Sequence, residues 1–184
     1  MPAPLFETPR AVVFPFTLAD FDYLKTLHQH PLVYPSTFTG FSSDERVQAE
    51  LAEYIDEHER LGISQLKVMS KEATPRFMGR VGLQFRTFHP NFEPDYECRT
   101  SLLPEFWGGG LATELLRGTL DYSFDDLKLE RIILGHFQSN VKSQTIAKKL
   151  GFKQISLQET PKEPVLHYEL FKADYLTNKE NYNA

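Results

Sequence analysis

Pro104-Glu105-Phe106-Trp107-Gly108-Gly109-Gly110-Leu111-Ala112-Thr113-Glu114 sets three successive glycines directly before a segment with helical apolar spacing. Upstream, Tyr96 to Leu103 contains no helix breaker and ends on apolar residues; downstream, Leu111, Leu115, Leu116, Thr119, Leu120 and Phe124 recur at three- and four-residue steps. A strand therefore enters the glycine turn and a helix leaves it. Backbone N–H groups in the first turn of a helix have no intrahelical partner, and residues without Cβ let a bulky anion approach them. The turn suits a phosphate or pyrophosphate, with a merely flexible connection as the alternative. No Lys-Ser or Lys-Thr follows the last glycine, so a P-loop is disfavoured. A dinucleotide fingerprint fits poorly too, because Thr113 stands at the third glycine position and the turn lies past mid-chain.

Working outward, 184 residues with 41% hydrophobic and 13% aromatic content can bury a full core, and the length favours one domain. A formal net charge of −5 argues against nonspecific nucleic-acid binding and is compatible with a cationic amine substrate. The single Cys98 excludes an intrachain disulfide. There is no apolar run near about eighteen residues and no charged-then-apolar leader, so neither a membrane span nor export is expected, and a cytoplasmic location is the default. The histidines show no metal-ligand spacing, so no metal is expected, and they read as polar core or surface residues.

Along the chain, residues 1–9 read as a tail, 10–175 as the domain and 176–184 as a second tail. Ala11 to Phe14 is the first expected strand. Thr17-Leu18-Ala19-Asp20 opens a helix as a capping box with Asp in place of Glu or Gln, and Leu18, Phe21, Leu24 and Leu27 form its stripe. Val33 to Ser43 reads as a loop, and a second helix covers about Asp44 to Arg60 with Val47, Leu51, Tyr54 and Ile55 on one face. Strands follow at Ser64 to Ser70, Phe77 to Phe88 and Tyr96 to Leu103, a set that can pair antiparallel. After the glycine helix come a strand at Arg131 to His136 and a short helix capped by Asn140 and ended by Gly151. In that helix Val141, Ile146, Ala147 and Leu150 are expected inside. Strands at Phe152 to Leu157 and Val165 to Lys172 close the pattern, which is an α/β (α+β) domain with one mixed sheet of about seven strands and about four helices.

Trp107-Gly108-Gly109-Gly110-Leu111-Ala112 resembles the cofactor turn of the GNAT superfamily of N-acetyltransferases, Gln/Arg-x-x-Gly-x-Gly/Ala, with Trp first as in the Rim-type ribosomal-protein acetyltransferase branch. Asn140-Val141-Lys142-Ser143 with Leu150-Gly151-Phe152 resembles that branch's Asn-x-x-Ser and Leu-Gly-Phe segment. Thr8-Pro9-Arg10 with Phe16-Thr17-Leu18-Ala19-Asp20 resembles its opening. The resemblance implies the GNAT fold and acetyl-CoA as co-substrate, lying between the central strand and the Arg131 to His136 strand with its pyrophosphate on Trp107, Gly108, Gly109, Gly110, Leu111, Ala112 and Thr113. It places the pantetheine arm beside Leu102 and Leu103, where a backbone N–H could stabilise the oxyanion. Asn140 and Ser143 match cofactor-side and catalytic positions; the alternative is that Asn140 is a plain helix cap and Ser143 a first-turn polar residue.

Acetyl transfer needs a neutral amine, whereas an ordinary ammonium is almost wholly charged near neutral pH. Glu97 matches the branch's acidic residue and is the candidate base. Arg99 shares its strand face and can pair with it, which works against that role. Where many family members carry a tyrosine acid, this chain has Ala147, so no general acid is assigned; Lys142, Lys148 and Lys149 are possible outer-phosphate partners. Cys98 reads as a buried structural thiol. The leading function is an N-acetyltransferase in which a primary amine, on a small molecule or a protein N-terminus, attacks acetyl-CoA directly in a ternary complex. The alternative is a catalytically weak acyl-CoA-binding sensor or interaction module of the same fold. Neither nucleic acid nor membrane is an expected partner, and the protein is expected as a monomer or homodimer.

Overall fold

The computed structural model describes residues 2–179; Met1 and 180–184, the outer parts of the two expected tails, lie outside the described residues. In chain order the elements are β1 (Phe6–Glu7), β2 (Ala11–Pro15), α1 (Phe21–His28), α2 (Asp44–Leu61), β3 (Gln65–Ser70), β4 (Phe77–Arg86) and β5 (Asp95–Leu102). They continue with α3 (Leu111–Asp121), β6 (Arg131–Phe137), α4 (Val141–Lys149), β7 (Lys153–Gln158), β8 (Val165–Phe171) and α5 (Lys172–Asn178). Among the described residues the eight strands follow the order β1-β2-β3-β4-β5-β6-β8-β7 in one mixed sheet. β5 and β6 pair in parallel through Glu97–Ile133 and Cys98–Leu134. The pairs β2–β3, β3–β4, β6–β8 and β7–β8 are antiparallel. The chain divides into two compact units, Met1–Leu83 with Thr100–Thr119 and Gln84–Arg99 with Leu120–Ala184.

In the first unit, α2 begins where the Ser43 hydroxyl accepts the Arg46 N–H and ends at Gly62 in the left-handed region, φ 66°. Its buried face, Val47, Leu51 and Tyr54, packs with Leu24 and Leu27 of α1 and with Phe16, Val33, Phe77 and Leu103. Leu18 departs from the expected stripe and is 75% exposed. It lies in a 3-10 turn, Leu18–Asp20, that precedes α1, so the α-helical period does not carry it to the core. The capping carboxylate is present: Asp20 accepts from the Thr17 N–H at 2.8 Å and the Thr17 hydroxyl at 2.9 Å. It also accepts from Lys67 Nζ on β3 at 2.6 Å, with both side chains buried. The first expected tail contains β1, which pairs with β2. The Phe6 ring rests on α3, where a Cβ added to Gly118 would stand 2.8 Å from it.

In the second unit β6 and β8 pair from Arg131–Phe171 to Phe137–Val165, and β7 joins the far edge of β8. Asn140 caps α4 through Oδ1, which accepts the Ser143 N–H, and Gly151 follows at φ 82°. Ala147 and Leu150 are fully buried, whereas Val141 is 66% exposed. At about 100° per residue Val141 stands far around the helix from both, so it was never on their stripe. The chain after β8 differs from the expected strand end and tail. Residues Lys172–Asn178 form α5, whose Tyr175 is buried against Phe124 and donates to Asp121 Oδ1 at 3.0 Å. A single buried aromatic in a polar heptad leaves no periodicity to read.

The Asp20–Lys67 pair makes a sharp prediction. Asp20→Ala leaves an ammonium buried without its counter-charge and is expected to cost about 3–5 kcal/mol of stability. Adding Lys67→Met should return most of that loss in urea unfolding; a double variant as unstable as Asp20→Ala alone would show that the loss comes from capping instead.

Candidate functional site

The glycine turn is built from its neighbours upward. β5 runs into a 3-10 turn, Pro104–Phe106, and the Trp107 indole N–H then reaches back to the Leu102 carbonyl at 2.8 Å. Gly108 and Gly110 both occupy the left-handed region, φ 83° and 75°, and a Cβ at either would meet open space. Conformation demands glycine there, and no neighbouring side chain fills the volume outside it. Gly110 offers its carbonyl to the Glu114 N–H at 3.1 Å, the opening bond of α3. The N–H groups of Leu111, Ala112 and Thr113 precede that bond and have no intrahelical acceptor.

The turn is held by a pair of residues that the sequence brings together only in three dimensions. The Glu114 carboxylate accepts the Arg10 backbone N–H at 2.9 Å and Arg10 Nε at 2.6 Å, while Arg10 Nη1 donates to the Gly109 carbonyl at 2.7 Å. Arg10 thus clamps the middle glycine to the first helical turn. Burial alone would raise the Glu114 pKa, but hydrogen bonds from Thr8 and Arg10 hold its carboxyl below the usual range. Both residues lie in the sequence blocks singled out above, yet nothing local links positions 104 residues apart. A cleft of about 440 Å³ opens beside the turn, lined in part by Arg10, Lys71, Arg76, Trp107 and Gly109. Its cations are engaged, Lys71 with Glu7 at 2.8 Å and Arg76 with Glu72 at 2.7 Å.

Leu102 and Leu103 are buried and differ in what their backbone offers. The Leu103 N–H donates to Met78 O on β4 at 2.9 Å, and its carbonyl accepts from Phe106 at 3.0 Å. The Leu103 N–H is thus committed to the sheet, and of the two expected residues Leu102 is the one left to supply a backbone N–H. Because successive residues of a strand turn their backbone groups to opposite sides, those of Leu102 face away from β4.

In the second unit Glu97 is 1% exposed. Its Oε2 meets Arg99 Nη2 at 2.9 Å, the pairing expected from their shared face, and Arg86 Nε lies at 3.5 Å. Gly135 makes room for the carboxylate, since a Cβ there would stand 2.7 Å from Glu97 Oε1. Asn140 acts as the cap of α4, and Ser143 is half-buried one turn into that helix. Ala147, at the family's tyrosine position, faces the interior. Lys142, Lys148 and Lys149 are exposed. Cys98 is buried, and desolvation pushes its thiol well above the ordinary range, as suits a structural residue. Among the described residues no group of three or more His, Cys, Asp or Glu is placed to hold a metal ion, and no helix is long and apolar enough to cross a membrane.

The Glu114 clamp is testable through its pH dependence. Glu114→Gln should lose about 1 kcal/mol at neutral pH, less than a fully buried charged bond because Arg10 is half exposed. A carboxyl held low in the folded state contributes stability above its unfolded pKa, about 4.3, and loses it as pH falls through the folded value. Unfolding curves of wild type and variant should therefore converge as pH falls through that lowered folded value; a gap that stays constant with pH would mean that the pair contributes nothing.

Comparison with known proteins accords with this geometry. Residues 10–153 match the family described as Acetyltransferase (GNAT) domain. A protein from Bordetella pertussis described as a putative GNAT-family acetyltransferase superposes with a TM-score of 0.78 at 21% identity, over 89% of this chain and 97% of that one. An acetyltransferase from Agrobacterium tumefaciens gives 0.77 at 19% identity, over 94% and 96%. The ribosomal-protein-S5-alanine acetyltransferase from Vibrio fischeri gives 0.73 at 19% identity, over 92% and 97%. Likeness at such identities speaks for the fold, which is the expected mixed α/β architecture, with eight strands for about seven and five α-helices for about four among the described residues. By its sequence match over most of the chain, this protein belongs to the GNAT acetyltransferase family.

Proposed function

We propose that the protein transfers the acetyl group of acetyl-CoA to a primary amine by direct attack in a ternary complex, within the Rim-type branch. The observation that carries this reading is the turn itself: two left-handed glycines, open space where their side chains would stand, and a helix N-terminus immediately behind. The pyrophosphate takes hydrogen bonds from the N–H groups at Gly109 to Thr113, with the helix dipole adding to them. The Arg10 clamp keeps the turn pre-formed, so little ordering cost falls on binding. Acetyl-CoA acts as co-substrate and no metal is required.

In the transfer step the Leu102 N–H is the backbone donor for the oxyanion, because that of Leu103 belongs to the sheet. Asn140 and Ser143 serve on the cofactor side, with Asn140 also capping α4. Glu97 supplies the negative charge that holds the acceptor's ammonium and draws off its proton, directly or through one water. The second reading, an acyl-CoA-binding module with weak catalysis, gains from the Arg99 pairing of Glu97 and from the buried Ala147. The acceptor is a small amine or a protein N-terminus, as the branch resemblance implies.

Two measurements test the reading. Gly110→Val places a branched side chain over the open face of the turn and strains a left-handed residue by about 1–2 kcal/mol, so the variant should remain folded yet lose acetyl-CoA binding in calorimetry. Unchanged affinity would put the cofactor elsewhere. Glu97→Gln should keep acetyl-CoA affinity while turnover with a responsive amine falls by about 10² or more. Wild-type turnover in that variant, with an unchanged pH profile, would remove Glu97 from the transfer step.

A further inference from the structure

His167, on β8, is cross-strand partner to Gly135 on β6 and is 3% exposed. Its Nε2 lies 3.1 Å from Gln158 Oε1, an acceptor that makes Nε2 the protonated nitrogen. Nδ1 is then a lone pair, and it is buried without a hydrogen-bond partner. That atom lies 3.2 Å from the point where a Cβ on Gly135 would stand, and Glu97 Oε1 lies 2.7 Å from the same point. A basic nitrogen and a carboxylate oxygen thus pack together against Gly135, where a Cβ would crowd both, and they lie close enough for a single water to bridge them. Phe88 covers the imidazole with ring centroids 5.4 Å apart, and His89 meets it edge-on at 5.7 Å. Buried ring nitrogens without a hydrogen-bond partner also occur at His58 Nδ1 and His136 Nε2; at His167 the atom stands beside the Glu97 carboxylate.

We infer that the proton Glu97 draws from the acceptor amine comes to rest on Nδ1 of His167, and that the Glu97 carboxylate holds the imidazolium so formed. This rests on the acetyl-transfer reading above and assigns a further catalytic group to it. An imidazole is ordinarily more basic than a carboxylate, and burial narrows that margin at His167. In sequence, an N–H bond of the ammonium breaks and its proton passes, by way of Glu97 or a bridging water, to Nδ1. The neutral nitrogen attacks the thioester carbon, the C–N bond forms and the C–S bond breaks with its electron pair leaving on sulfur. The second proton lost by nitrogen goes to the thiolate, and His167 returns the first to bulk water. Each turnover yields amide, CoA thiol and one proton.

The charged and titratable groups around His167 agree with this role. Burial lowers its pKa, Glu97 opposes that effect, and His89, Arg86 and His136 add to it. The ring is therefore neutral at physiological pH, and Glu97 is the neighbour that favours its protonated form.

The test uses the full chain with acetyl-CoA and a panel of primary amines. His167→Gln should keep acetyl-CoA affinity and lower kcat by about 10²-fold. The wild-type fall in kcat on acidification, below about pH 6.5, should be absent in it. Glu97→Gln should shift that limb to lower pH. Histidine ring ¹⁵N NMR of the wild type gives a second readout that needs no turnover, with His167 expected as the Nε2–H tautomer near neutrality. A proton on Nδ1 there overturns the inference, as does an active wild type whose His167→Gln variant keeps rate and profile. A wild type that releases no thiol with any amine, while binding acetyl-CoA, overturns the transfer reading instead, and with it any catalytic use of His167.

Discussion

The ion pair between Arg10 and Glu114 is the constraint on which the cofactor turn depends. Glycine-rich turns have many accessible conformations, and a turn that sampled them all would present its N–H groups to an anion only part of the time. One guanidinium fixes the Gly109 carbonyl and the Glu114 carboxylate together, and that carboxylate also takes the Arg10 backbone N–H at the start of β2. The carboxylate sits in the first turn of α3, where the helix dipole favours a negative charge. The same contacts therefore close the helix terminus, anchor the edge of the sheet and hold the glycines in their left-handed conformations.

The first unit treats its other charges differently. Asp20 and Lys67 are buried as a pair, and the carboxylate spends its remaining capacity on Thr17. Arg80 donates to His28 Nε2, whose other ring nitrogen meets Glu50, so a chain of polar side chains runs beneath Tyr54. Desolvation lowers the His28 pKa although Glu50 opposes it. Networks of this kind are costly when incomplete, which favours a single arrangement of α1, α2 and the strands beneath them.

In the second unit the notable contrast is between two histidines on adjacent strands. His136 has Nδ1 on the Phe137 carbonyl and its ring beside Tyr168, with Nε2 buried and without a hydrogen-bond partner. His167 has its unpartnered Nδ1 packed against Gly135 beside the Glu97 carboxylate. Both were read from sequence as ordinary polar residues. Nothing in the spacing of His167, Gly135 and Glu97 distinguishes it, because the three stand on three strands whose pairing the chain order does not reveal.

The amino-acid sequence by itself determined the elements that carry a local signal. The glycine turn and its helix, the Ser43 and Gly62 limits of α2, the Asn140 cap and the alternating strands all follow from period, capping chemistry and backbone freedom over a few residues. Where the local signal was thin or misleading, the tertiary structure decided. Two-residue β1 exists because β2 offers it an edge, α5 forms because Tyr175 finds Phe124, and Leu18 turns outward because a 3-10 turn breaks the period read through it. The same division holds at the candidate site. The open glycines were legible, whereas the clamp from Arg10, the commitment of the Leu103 N–H to β4 and the meeting of Glu97 with His167 depend on which strand lies beside which. Hydrogen-bond partners over such separations are set by the register of the sheet, and register is a property of the assembled core rather than of any one segment.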